Sequence, residues 1–549
     1  MKTKVYVVLI PILFFAILSP KSLVSTSEED LDIGHRQLEV RILWRFRAND
    51  KLRCSPALAD LNNDGIIDVV VGSKDNNVYV LSGNNGSLIW NYTAFSWIAT
   101  SPVVGDINGD NKLEVIIGDG NGSIHVLSGS DGELIWRRHI GSLIAATPAI
   151  GDIDGDGDID IVVGTEDGVV YVLSGADGST IWRKFISQPV PPFVYFTGSP
   201  IIADVNADGE SEIIVGVGTA LALNFSDAIL VLRGDDGSIL WSGGRRVDSS
   251  SCATIWAMCS PSTAAVGDLN GDGILDIVVS DVFAHTIAFD GANGRLLWFS
   301  GTTNHSKMTQ EVSPVIVDID GDGKLDVVSV SYDPDINRNT LVAYRGADGE
   351  TIWCAQFWGQ IRWSSPAVVD LNRDGTPDVI VGDKYGKIYA VDGADGKTLW
   401  IFYAGDCIDS PPVVGDLDND GDLEIVFTCF DNYTYALDVP GATFPRNRVY
   451  WGVFMGNPHH TGNVEDIDQD GDCLSDFSES LYGSSPVKYD TDDDGYSDGI
   501  EVFYGTDPVD ALNHPGNIGS NIFTIIMVLV ATCLVVLILV LKYRKIIKR

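Results

Sequence analysis

The chain has 549 residues, 45% of them hydrophobic, and a formal net charge of −40 from 36 Lys and Arg against 76 Asp and Glu. That excess of acid excludes nucleic acid held by phosphate neutralisation and points first to cations as partners. The length suffices for one large core or several domains.

Lys2 and Lys4 precede an apolar run from Val5 to Leu18 and a polar stretch around Lys21 to Ser27, the pattern of a secretory signal peptide over residues 1–27. An exported chain meets conditions in which disulfides form. Of the cysteines, Cys252 and Cys259 bracket a short insertion and are the first expected pair, and Cys407 and Cys429 are placed to bridge neighbouring strands. Cys54, Cys354 and Cys473 are left unassigned. Asn-x-Ser/Thr sequons at Asn85, Asn91, Asn121, Asn224, Asn304 and Asn432 suit a glycosylated exterior.

From residue 38 to residue 458 one unit recurs: a Ser-Pro or Thr-Pro with an apolar strand, an acidic loop, a run such as IDVVVGS, a run such as NVYVLSG, a DG-type turn, and a strand ending in Trp. The acidic loops start at Asp60, Asp106, Asp152, Asp204, Asp268, Asp318, Asp370 and Asp416. Four short strands per unit, joined by tight turns and repeated at a near-constant period, predict an all-β propeller of eight blades, with seven as the alternative. A propeller closes by borrowing a strand from its other end. Trp44, in LEVRILWRF, precedes Asp60 by the interval that separates Trp90 from Asp106, so an N-terminal strand is expected to complete the last blade, with Trp451 as a rival.

The loop pattern DxNxDGxxD places side chains at positions 1, 3, 5 and 9, and a carbonyl at 7, where they can converge on one hard cation; Gly at position 6 allows the turn. The proposed ligands are Asp60, Asn62, Asp64 and Asp68; Asp106, Asn108, Asp110 and Glu114; Asp152, Asp154, Asp156 and Asp160; Asp204, Asn206, Asp208 and Glu212. They continue with Asp268, Asn270, Asp272 and Asp276; Asp318, Asp320, Asp322 and Asp326; Asp370, Asn372, Asp374 and Asp378; and Asp416, Asp418, Asp420 and Glu424. Several oxygens in flexible geometry favour Ca²⁺ over Mg²⁺, and the absence of thiolate or imidazole from the pattern argues against zinc. No His, Ser or Cys recurs beside the loops, so the sites are read as structural and no catalytic residue is assigned.

Variable connections fall on the face opposite the acidic loops, after Trp182, Trp241 and Trp298 and at Gly216 to Ala228 and Ser331 to Thr340. They offer Tyr195, Trp256, His305, Tyr332, Arg338 and Trp358, with Phe193, Phe196 and Trp363 nearby, as candidates to meet a protein or glycan ligand.

Beyond the propeller, DQDGDCLSD and DTDDDGYSD supply Asp468, Asp470, Asp472, Asp476 and Glu479, matched by Asp490, Asp492, Asp494, Asp498 and Glu501, which reads as a calcium-binding stalk over residues 466–510. Residues 522–541 form an uncharged apolar run of about the length that spans a bilayer as a helix. The basic tail KYRKIIKR, residues 542–549, is expected in the cytoplasm and everything upstream outside. The expected localisation is therefore the cell surface, as a single-pass membrane protein with an extracellular N-terminal ectodomain.

Two propeller families are resembled over approximately Leu38 to Pro458. PVVGDLDNDGDLEIV resembles the calcium-loop repeat of FG-GAP and integrin α-chain propellers. VYVLSGADGSTIW resembles the tryptophan-docking repeat of pyrroloquinoline-quinone enzymes, whose propellers have eight blades. Those enzymes carry adjacent cysteines at the cofactor, which Cys252 and Cys259 are not, so that resemblance extends to the blade and not to the oxidoreductase. Asp466 to Pro508 is similar to thrombospondin type 3 repeats. The combined expectation is a calcium-stabilised surface propeller for recognition or adhesion; the alternatives are a propeller enzyme, quinoprotein-like or polysaccharide lyase, and a structural coat component.

Overall fold

The computed structural model describes residues 40–442 apart from 111, 145, 187–193, 197, 220–225, 246–261, 282–284, 301–311, 334–337 and 358. The acidic stalk ligands, the apolar run 522–541, the pair Cys252 and Cys259, and Trp256, His305 and Trp358 lie outside the described residues.

The runs of Val, Ile and Leu that follow each acidic loop become strands buried on both faces. In blade 1, Ala57–Ala59, Asp68–Gly72, Asn77–Ser82 and Leu88–Thr93 pair in that order as an antiparallel meander. Every residue of its second strand is buried, because blades pack face to face and leave no solvated side. Seven further sheets repeat the arrangement, so the architecture is an eight-bladed β-propeller.

Blade 8 is composite. Val413–Gly415, Leu423–Thr428 and Tyr433–Val439 are completed by the N-terminal strand Arg41–Arg47, antiparallel, with Arg41 opposite Asp438 and Trp44 opposite Ala436. The expected closure by the strand of Trp44 is therefore observed; Trp451 lies outside the described residues.

A β-bulge precedes the Trp of the outer strand. In blade 1 the register steps between Val80 and Leu81, opposite Trp90 and Leu88, and the same step recurs in blades 2 to 7. The extra residue re-aims the indole toward the next blade. There each Nε1–H donates to a glycine carbonyl: Trp90 to Gly129 at 2.6 Å, Trp136 to Gly175 at 2.7 Å, Trp182 to Gly234 at 2.6 Å, Trp241 to Gly291 at 2.5 Å, Trp298 to Gly346 and Trp353 to Gly393 at 2.6 Å. Trp44 donates to Gly83 likewise. Trp400 is the exception: facing the composite blade, its buried Nε1 has no partner among the described residues.

The Ser-Pro and Thr-Pro pairs form an inner belt. The amide of Ser55 donates to Ser101 Oγ at 3.0 Å, that of Ser101 to Thr147 Oγ1 at 3.2 Å, that of Thr147 to Ser199 Oγ at 3.0 Å and that of Ser199 to Thr263 Oγ1 at 3.0 Å. Each hydroxyl thus satisfies a buried amide one blade away.

Two expectations change. The segments Gly216 to Ala228 and Ser331 to Thr340, read as variable connections, are largely hairpin extensions: Glu212–Thr219 pairs with Ser226–Arg233, and Asp326–Asp333 with Arg338–Arg345. β-Branched residues such as Val330 and Thr340 keep the blade 6 ladder going past the point where other blades turn. Blade 4 also gains a strand, Val194–Phe196, which pairs with Glu212–Thr219 beyond Ile201–Ala203. Cys407 and Cys429 are free thiols rather than a disulfide. The Cys407 Sγ donates to Asp409 Oδ1 at 3.0 Å and the Cys429 Sγ to the Asp406 carbonyl at 3.1 Å, so each is engaged locally.

Candidate metal centres

Each acidic loop joins the first and second strands of its blade, so all eight lie on one face of the ring. Two left-handed residues shape each turn. At position 6, Gly65, Gly157, Gly209, Gly273, Gly323, Gly375 and Gly421 have φ between 79° and 91°. At position 4 the left-handed conformation recurs even without glycine, at Asn63, Ala207, Arg373 and Asn419 with φ from 54° to 61°. A non-glycine there is uncommon and is held by the surrounding hydrogen bonds. The sequence pattern marks position 6 and leaves position 4 unmarked, because the residue there varies; Asn111, at position 6 of the second loop, lies outside the described residues.

The carboxylate at position 1 collects amides of its own turn. Asp60 Oδ2 accepts from Gly65 at 2.8 Å and Asp204 Oδ2 from Gly209 at 2.7 Å, and the same bond recurs at Asp152, Asp268, Asp318, Asp370 and Asp416. Position 9 opens the buried second strand, and its carboxylate reaches back to the amide of position 2: Glu424 Oε2 to Leu417 at 2.7 Å, Asp378 Oδ2 to Leu371 at 2.8 Å, Glu114 Oε2 to Ile107 at 3.1 Å. Position 2 itself is an apolar plug. Leu417 lies against Gly83 of blade 1 and Leu61 against Gly129 of blade 2, so each loop is keyed into the neighbouring blade.

The remaining oxygens turn inward. Ligand atoms of Asp152, Asp154 and Asp160, of Asp318, Asp320 and Asp326, and of Asp416, Asp418 and Glu424 all lie within 4.8 Å of one another in each trio. These are positions 1, 3 and 9 of the three loops with Asp at position 3. Where position 3 is Asn in blades 1, 4 and 5, its amide caps the ninth residue, as Asn206 Nδ2 does to Glu212 Oε1 at 2.8 Å and Asn62 Nδ2 to Asp68 Oδ2 at 3.2 Å, whereas Asn372 Nδ2 of blade 7 donates to Asp374 Oδ2 at 3.1 Å and Asp392 Oδ2 at 3.3 Å. The position 5 acids, Asp64, Asp110, Asp156, Asp208, Asp272, Asp322, Asp374 and Asp420, are exposed.

Buried oxygens without a partner cluster in these loops. Asn62 Oδ1, Asp68 Oδ1, Asn206 Oδ1, Asp318 Oδ1, Asp326 Oδ2, Asp416 Oδ1, Asp418 Oδ1 and Glu424 Oε1 have none among the described residues. Leaving such atoms unpaired is costly, and a cluster of them with one sign of charge fits a hard divalent cation. Burial, reinforced by neighbouring carboxylates, pushes every ninth-position acid upward: to about 7 at Glu114, Asp160, Glu212, Asp276 and Asp326, about 8 at Asp68 and Asp378, and about 9 at Glu424. A cation bound there would offset this burial by stabilising the ionised carboxylates.

On the opposite face the predicted ligand residues are partly placed. Tyr195 is paired with Gly218, Tyr332 with Asn339 and Arg338 with Asp333 on the extended strands. Trp363, just before the inner strand of blade 7, lies under the guanidinium of Arg53, which precedes that of blade 1, with 4.0 Å to the ring centroid.

The FG-GAP-like repeat family matches residues 60–117, 152–215, 318–381 and 370–427, and the bacterial TSP3 repeat matches 490–511. No curated protein matches the chain. Among solved structures, BamB from Moraxella catarrhalis is similar at 16% identity, over 73% of this chain and 100% of its own, with a TM-score of 0.52. The V. cholerae biofilm matrix protein Bap1 is similar at 13% identity, over 77% of this chain and 96% of its own, with a TM-score of 0.53. The quinohemoprotein alcohol dehydrogenase from Comamonas testosteroni is similar at 13% identity, over 74% of this chain and 78% of its own, with a TM-score of 0.53. At such identities these likenesses speak to fold alone. The chain is thus a repeat β-propeller carrying FG-GAP-like repeats, eight blades in a closed ring, with a bacterial TSP3 repeat C-terminal to them.

Proposed function

We propose that the chain is a cell-surface β-propeller, stabilised by Ca²⁺ in its acidic loops, that recognises an extracellular protein or glycan. The observation that carries this reading is the asymmetry of the two faces. The loop face repeats one acidic turn eight times, whereas the other face breaks the repeat with the long hairpins of blades 4 and 6 and the added strand of blade 4. Irregular elements raised on a rigid repeated scaffold are where binding specificity is built. Inward oxygens without partners at positions 1, 3 and 9 support calcium as the ion, and the TSP3 repeat supports a second calcium-binding segment in the stalk.

Residues 1–27 then act as an export signal and 522–541 as a membrane-spanning helix, with 542–549 in the cytoplasm, supported by the apolar runs and the basic tail. Asn85, Asn91 and Asn121 are exposed, as glycan acceptors must be. No helix among the described residues is long and apolar enough to cross a membrane. The test is a binding screen against arrayed glycans and extracellular proteins, with calcium and with chelator. Calcium-dependent capture that is lost when the hairpin tips of blades 4 and 6 are shortened is the expected result; capture indifferent to both overturns the reading.

A further inference from the structure

Directly across the sheet from the ninth loop residue, on the third strand, stands a residue whose type changes from blade to blade. It is Ser82, Ser128 and Ser174 in blades 1 to 3, Arg233 and Arg345 in blades 4 and 6, and Asp438, opposite Glu424, in blade 8. Blades 5 and 7 also carry an acid at this step of the register, Asp290 and Asp392, but there Arg295 and the Asn372 side-chain amide engage it. Side chains so paired point to the same face, roughly 5 Å apart, where like charges oppose each other. In blade 8 the opposition is extreme: Glu424 is 0% exposed and Asp438 1%.

Four buried carboxylate oxygens of blade 8 have no hydrogen-bond partner among the described residues: Asp416 Oδ1, Asp418 Oδ1 and Glu424 Oε1, whose residues form the trio, and Asp438 Oδ1, across the sheet from Glu424. The other oxygen of Asp438 holds the guanidinium of Arg41, from the N-terminal strand. One cation against four acids leaves the cluster short of positive charge, and the free Asp438 oxygen is on the Glu424 side of the sheet. An added acid ligand makes a site bind a hard divalent ion more tightly.

We propose that the blade 8 centre takes Asp438 as an additional calcium ligand from outside its loop, on the seam where the ring closes. This rests on the calcium reading of the loops. Arg41 then has a separate role, clasping Asp438 Oδ2, and its positive charge gives the ion no help.

The test uses the full chain and three proteins: wild type, Asp438→Ser and Arg41→Gln. Serine is chosen because Ser82, Ser128 and Ser174 occupy the same position in sister blades. Calcium is titrated by equilibrium dialysis, and thermal unfolding is followed in calcium and in chelator. The expected result is that one equivalent of calcium binds Asp438→Ser about tenfold or more weakly than it binds wild type. This variant also shows a smaller calcium-dependent rise in Tm. Arg41→Gln lowers Tm in both conditions and keeps that equivalent. If Asp438→Ser and Arg41→Gln lower Tm alike and both keep wild-type calcium binding, Asp438 is a clasp only and the proposal is overturned while the calcium reading stands. If wild type itself takes up no calcium, both fall.

Discussion

The indole of Trp298 donates to the carbonyl of Gly346 at 2.6 Å, and its ring lies so close to Gly349 of the same turn that a Cβ there would come within 2.7 Å of ring carbons. Blade 5 is thereby stapled to blade 6 through a residue that no larger side chain can replace. Trp298→Phe keeps most of the apolar contact and removes the donor from a buried carbonyl, so it is expected to cost about 1–3 kcal/mol. Trp400→Phe, at the position where the indole nitrogen has no partner among the described residues, is expected to cost less. Urea unfolding of the two variants side by side checks the difference; equal losses would remove the hydrogen bond from the account.

Metal removal is expected to lower the unfolding temperature, because the ion binds the folded loops and not the unfolded chain. Each site that is 100-fold over its Kd contributes about 2.7 kcal/mol by mass action. Differential scanning calorimetry with calcium, with magnesium and with chelator is the measurement, and calcium is expected to restore what magnesium does not.

Asp378 offers a change of sign. Its carboxyl is buried, pushed up to about 8, and holds the Leu371 amide through Oδ2 at 2.8 Å. Asp378→Asn keeps an acceptor and removes a charge. It is expected to stabilise the metal-free protein and destabilise the calcium-loaded one, a crossover that thermal melts in the two conditions would show.

The ninth-position acids also set a pH dependence. In the metal-free protein their folded pKa values, about 7 to about 9, lie above the unfolded values near 4. The native state therefore holds more protons than the unfolded state across that window, and stability falls as pH rises from about 4 toward 9. With calcium present the ionised forms are held and protons compete with the ion, so stability falls as pH is lowered. Melting curves from pH 5 to pH 8.5 are expected to slope oppositely with and without calcium; parallel slopes would contradict the loop assignment.

Much of the scaffold was legible because identity is repeated where geometry is. The interval from loop to Trp, the acids at positions 1, 3 and 9, and the early Trp44 strand all correspond to structure. The left-handed fourth position was not legible, since Ala207 and Arg373 adopt it without any compositional mark. Nor was the engagement of the position 5 acids within their own turns, where Asp64 Oδ1 accepts the Ile66 amide at 2.9 Å and Asp156 Oδ1 the Asp158 amide at 3.0 Å. The long hairpins of blades 4 and 6 were masked by Gly216, Gly218 and Asp333, turn-prone residues that pairing overrides. Asp438 carries no motif at all; only the strand register brings it opposite Glu424.

The N-terminal strand has a further consequence for how the molecule is made. Arg41 and its partner Asp438 are 397 residues apart, so at about 5–20 residues per second the strand waits roughly 20–80 s on the ribosome before its place in blade 8 exists. During that interval it is an unpaired, aromatic-bearing edge, and Arg41, Arg45 and Arg47 keep it from pairing with other nascent chains. Those three arginines are therefore as much a safeguard of biosynthesis as a part of the finished ring.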